Sequence, residues 1–307
     1  MMGPAPRDQP ARELYDEMAR WPIFDPHSHI DARRPAARNL DDILGYHYYT
    51  ELAHSAGMPA DRVDPALDPR QRARHLAEFL PAIDNTVQYA WLREIAGIFH
   101  GFAHDSIGPA TIDDLWSRAD HSADGDAWDR TVWEKTNLEA VFLTNDFDDP
   151  LEGWDTSKFV PCLRTDDLVL KLHEAGTRER LGMATNVDVQ DFAGLKLAIG
   201  ALFDYFVKHG ARACAISLPP DFAPGDPTPK RAVTPVRRAL HGMDLRPDEH
   251  AEIRRAVFWI LAEFCDDFHL PFDLMIGPIR GVYPAGVPGG RDLFDRRVSL
   301  YGHYLTA

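Results

Sequence analysis

Short apolar segments alternate with long amphipathic ones along most of this chain, and that alternation constrains the fold more than any other feature. Strand candidates lie at residues 23–30 (IFDPHSHI), 139–144 (EAVFLT), 159–163 (FVPCL), 211–218 (ARACAISL) and 271–277 (PFDLMIG), with a weaker one at 181–186. Long helical patterns run from Asp188 to Lys208, stopping at Gly210, and from Pro247 to Phe268. A helix between successive strands carries the chain back across the sheet, so the strands pair in parallel. Polar residues stand just past several strands: Asn145 and Asp146 after the second, Arg164 and Thr165 after the third, Arg280 after the last. Parallel α/β enzymes assemble their sites there, in barrels and in open sheets alike. No GxGxxG follows a strand, which argues against a dinucleotide-binding fold.

Between the first two strands the pattern changes. Residues 40–56 read as a helix with Asn39 as its cap and Asp41 and Asp42 in its first turn, ended by Gly57 and Pro59. Residues 60–135 offer no convincing strand; residues 70–101 read as helix with a pause at Pro81, and residues 122–126 as a polar loop. We read residues 60–135 as a helical insertion within a single domain spanning 1–307.

Bulk properties exclude several functions. The formal charge of -15 repels phosphate backbones, so nucleic acid is not an expected partner. It also disfavours an anionic small molecule, unless arginines reverse the field locally. No apolar run is long enough to cross a bilayer, and the charged start of the chain lacks a secretory signal's apolar core. Cys162, Cys214 and Cys265 are far apart, odd in number and free of any CxxC pair. They read as core thiols in a reducing, cytoplasmic setting. Self-association is left open.

The sharpest local motif is Asp25-Pro26-His27-Ser28-His29. On a strand, residues two apart share a face, so His27 and His29 can converge on one divalent ion. Neutral imidazole suits zinc, with manganese as the alternative. Asp25, on the same face, can steady a ligand ring.

FDPHSHI, followed by NLDDILGYHYYTELAHSAGMP, resembles the opening of uronate isomerases, a branch of the amidohydrolase superfamily. VFLTNDFDDPLEGW, FVPCLRTDDL, YFVKHGARACAISL and MIGPIRG resemble further segments of that family in the same order, spanning about residues 23–281. The resemblance implies a (β/α)8 barrel of amidohydrolase type. It implies His27 and His29 as metal ligands, Tyr48 as a pocket residue near the sugar, and Arg164 and Arg280 on the carboxylate or the developing enediolate oxygens. Asp146 matches an acidic position of the second-strand motif and binds substrate on this reading; on its own it could equally cap the next helix. The implied reaction interconverts a hexuronate, glucuronate or galacturonate, with its ketose by proton transfer through an enediolate.

Three departures from the family stand out. No histidine follows the strand that ends in Ser217-Leu218-Pro219-Pro220. Gly281-Val282-Tyr283-Pro284 follows Arg280 where the family is asparagine-rich. Two further β/α units, the last carrying a metal-binding aspartate, have no counterpart before Ala307, so the barrel is expected to be truncated and this chain inactive or nearly so. The competing expectations are a metal-dependent hydrolase of the same superfamily and a barrel remnant without activity.

Overall fold

The computed structural model of the chain describes residues 9–225, 229–279, 293–297 and 299–305. They form two compact units. Of the described residues, the first comprises 9–23 and 34–139, and the second 24–33, 140–225, 229–279, 293–297 and 299–305.

The first unit is helical. Leu40–Leu44 and His47–Ser55 form two helices where the sequence suggests one, because the chain turns at Gly45 and Tyr46. Asn39 caps the first as expected, its Oδ1 accepting the Asp42 N–H at 3.0 Å. Pro69–Ala77, a 3-10 turn at Leu80–Ile83 and Val87–His100 reproduce the helix with a pause at Pro81. Gln9–Met18, Ile112–Arg118 and Gly125–Thr136 are further helices of this unit, with a 3-10 turn at Ala60–Val63. Leu40, Leu44, Leu76, Leu80, Leu92 and Leu115 are among the side chains that close its core.

The second unit carries the sheet. Its strands are β1 (Ile23–Asp25), β2 (Leu138–Phe142), β3 (Asn145–Asp146), β4 (Phe159–Val160), β5 (Cys162–Arg164), β6 (Ala213–Leu218), β7 (Phe272–Ile276), β8 (Pro278–Ile279) and β9 (Leu293–Phe294). One sheet has the order β1-β2-β4, a second β3-β5-β6-β7, and β8 pairs with β9. Val141 and Phe142 pair with Phe159 and Val160, and Asn145 and Asp146 pair with Leu163 and Arg164, all in parallel. The offset is the same on both sides of the break, so β3 and β5 continue the register of β2 and β4. Pro161 sits at the break because it has no N–H to give a ladder. The next N–H, that of Cys162, goes to the Asn145 side chain at 3.3 Å.

Burial explains the helices behind this sheet. Leu163, Cys214, Ile216 and Leu218 point into a core with Leu195, Ile199, Leu202, Phe203 and Phe206 from the helix Phe192–Lys208, and Val257 and Leu261 from Pro247–Asp267. Cys162, Ala213 and Ala215, the alternate residues, form a separate cluster on the other face. All three cysteines are buried free thiols, matching the core reading. Residues 181–186 are not a strand: Ala175–Thr185 is helix, ended by Asn186 in the left-handed conformation. Among the described residues no helix is long and apolar enough to cross a membrane.

Candidate active site

At the C-terminal ends of the parallel strands lies a polar cleft of about 270 Å³. His29, Asp31 and Arg33 enter it from the segment after β1, Asp146 and Asp149 from the end of β3 and beyond, and Arg164 from the end of β5; Trp154 closes one side. Parallel pairing brings the second and third groups together: Asp146 and Arg164 are opposite each other in the β3–β5 register.

His27 and His29 differ from expectation in one respect. The strand ends at Asp25, so both histidines lie beyond it in irregular chain. Their rings nevertheless approach edge to face, with centroids 5.0 Å apart. Asp25 holds the segment rather than a ring, its Oδ1 accepting the His27 backbone N–H at 3.1 Å. Thr144 Oγ1 lies 2.8 Å from His29 Nδ1 and gives its own proton to the Ser28 carbonyl at 3.2 Å. Two neighbouring imidazoles are donors of the type that suits a divalent ion. Among the described residues no three histidine, cysteine or carboxylate side chains are grouped to hold one.

Arg164 is about one-third exposed and pairs through Nε with Asp166 Oδ2 at 3.2 Å. Its two terminal nitrogens donate no hydrogen bond to any described residue, and the residue lines the cleft. Asp146 caps no helix; it is exposed and stands 3.6 Å from Arg180. Tyr48 lies in the first turn of the helix His47–Ser55 in the first unit, half exposed and edge-on to Tyr46 and His47, so it is not a core aromatic. Arg280 lies outside the described residues.

Arg33, which lines the cleft, and Arg180, which does not, carry no motif that reveals them in the sequence. Arg33 lies over the Trp154 ring at 4.5 Å, with Asp149 at 3.8 Å and Asp31 at 4.0 Å. Gly153 makes the stacking possible: its φ is +90°, and a Cβ there would meet Arg33 Nε at 3.3 Å. Arg180, from the helix Ala175–Thr185, clamps Asp148 at 2.8 and 2.5 Å and Asp167 at 2.9 Å. The misread segment 181–186 begins immediately after it, which concealed the helix that carries it.

Parallel strands crossed by helices, with a charged cleft at the strands' C-terminal ends, define an α/β fold built as enzymes of that class are built. The chain belongs to the glucuronate isomerase family, whose sequence profile matches residues 6–283, and it is a uronate isomerase. Its fold is similar to the crystal structure of uronate isomerase from Thermotoga maritima, with a TM-score of 0.82 and 18% identity over 96% of this chain and 70% of that one. It is similar to glucuronate isomerase from Caulobacter crescentus, with a TM-score of 0.83 and 22% identity over 96% of this chain and 67% of that one. A uronate isomerase from Bacillus halodurans gives 0.68 and 21%, over 92% of this chain and 63% of that one.

Proposed function

We propose that the cleft at the ends of β1, β3 and β5 binds a hexuronate, glucuronate or galacturonate, and interconverts it with its ketose through an enediolate, on a (β/α)8 barrel framework. One observation carries the assignment to this cleft: His29, Asp146 and Arg164, drawn from three separate segments, line it together.

The chemistry asks for three things. The substrate's carboxylate must be held, oxyanion charge must be met by donors as it develops, and a proton must move between C2 and C1. Arg164, which lines the cleft, serves the first or second demand, and Arg280 takes the other by its position in the MIGPIRG segment. Asp146 accepts hydrogen bonds from sugar hydroxyls. The resemblance also implies a part in the proton transfer for Tyr48, from the HYY triplet. A divalent ion, zinc or manganese, would be held by His27 and His29 and would supply polarisation of the substrate's carbonyl. Arg33 and Arg164 are the cationic partners the cleft offers an acid sugar on a chain of net charge -15, beside Asp31, Asp146 and Asp149.

The test is incubation with D-glucuronate and with D-galacturonate in deuterated buffer containing zinc or manganese. The expected result is ketose formation, with solvent deuterium entering at the exchanging carbon. Hydrolysis of an amide or ester with no isomerisation would overturn the reading.

A further inference from the structure

The surroundings of Arg164 pose an electrostatic problem. Asp146 is its direct partner across the β3–β5 pair, and residues opposite each other in a sheet have Cβ atoms roughly 5 Å apart. Asp166 and Asp167 follow two and three residues later, at the start of the helix Asp166–Leu170. A guanidinium among so many carboxylates would pair with them and be lost to an anionic ligand. Yet among the described residues Arg164 engages only Asp166, and through Nε alone.

Arg180 accounts for this. Its Nε and Nη2 hold both oxygens of Asp148 at 2.8 and 2.5 Å. Nη1 holds Asp167 Oδ2 at 2.9 Å, while Lys171 holds the other oxygen of Asp167 at 2.9 Å, and Nη2 lies 3.6 Å from Asp146 Oδ2. The guanidinium also lies 4.6 Å from the centre of the buried Phe147 ring, which fixes its plane. Asp148 holds the guanidinium more firmly protonated than usual, and Arg180 in return lowers the Asp148 carboxyl below the ordinary range. One planar cation thus ties the chain after β3 to the chain after β5. A lysine, with a single nitrogen, could not span three carboxylates in this way.

We propose that Arg180 is a positioning residue: it draws Asp146 and Asp167 away from Arg164, so that the terminal nitrogens of Arg164 stay open to the carboxylate of an acid sugar. The proposal rests on the reading of Arg164 as a carboxylate-binding group.

The experiment compares the dissociation constants of D-glucuronate and its uncharged amide, D-glucuronamide, by calorimetry. The proteins are wild type, R180M, R180K and R164M, each with its thermal melting point. Wild type favours the acid. In R180M the preference falls by about tenfold, the scale of one lost charge-assisted contact, through weaker acid binding and unchanged amide binding. R180K, which keeps the charge and loses the fork, falls between the two; it is the variant read if R180M does not fold. A lower melting point with the wild-type acid-to-amide ratio in both Arg180 variants would mean that the cluster is only structural, and would overturn the proposal. R164M separates the two readings: if it keeps the full preference for the acid, Arg164 does not bind the carboxylate, whatever the Arg180 variants show.

Discussion

Arg164 and Asp146 face each other because the strands that carry them run parallel and in register across a proline break, a relation no local motif encodes. The sequence does encode which residue types end the strands, and three of the proposed site residues, His29, Asp146 and Arg164, line one cleft on that basis. Arg33 and Trp154 escaped because their stacking depends on the turn at Gly153, which brings together residues far apart in the chain. At this scale two outcomes are expected. His27→Ala should lower the bound divalent metal well below about one ion per chain, the content of a single mononuclear site, as read by elemental analysis of purified protein. Equal metal content in wild type and in the double His27, His29→Ala variant would remove the ligand assignment. Gly153→Ala should weaken acid-sugar binding severalfold, because a Cβ at φ +90° is strained and displaces Arg33 from its ring. Titration calorimetry against glucuronate measures the loss.

Elements were legible where one physical signal dominated. The helices Phe192–Lys208 and Pro247–Asp267 follow the apolar periodicity of the sequence closely, and the cap at Asn39 works as its chemistry suggests. The failures have identifiable causes. Residues 181–186 hold a few apolar side chains that fit a short strand as well as a helix end, and only the left-handed Asn186 settles the matter. The histidines of the first strand lie beyond its end, because Pro26 cannot donate to a ladder. Between β7 and β8, Gly277 adopts φ +99°, donates its N–H to the Leu218 carbonyl and accepts from Asp295. A Cβ there would lie 2.5 Å from the Asp295 oxygen. Gly277→Ala should therefore destabilise the fold by about 1–3 kcal/mol, the range for overpacking and strain, read as a lower midpoint in urea.

At the scale of the molecule, acid stability is set partly in the helical unit. His100 is buried, its ring stacked on Trp128 and 3.4 Å from His121, with Lys135 also nearby. Burial, then the neighbouring charges, push its pKa down from 6.5 to about 4. The folded chain thus keeps this imidazole neutral while the unfolded chain takes up a proton. The stabilisation is complete above pH 6.5, is lost as pH falls toward 4, and declines no further below that. Between pH 7 and 5 the loss should be about 1–2 kcal/mol, and His100→Gln should flatten it; urea midpoints at the two pH values give the comparison. An acidic protein that takes an acidic substrate needs cations at the site itself, and the fold sets Arg33 and Arg164 at the ends of its strands beside Asp31, Asp146 and Asp149. The most direct test of that account is the rate of ketose formation from D-glucuronate by wild type and Arg164→Met under identical metal supply. Against the inactivity expected from the sequence alone, membership of the family predicts isomerisation by wild type, with a loss of about 100-fold or more in the variant, as for removal of one oxyanion donor. Equal rates in the two proteins would contradict it.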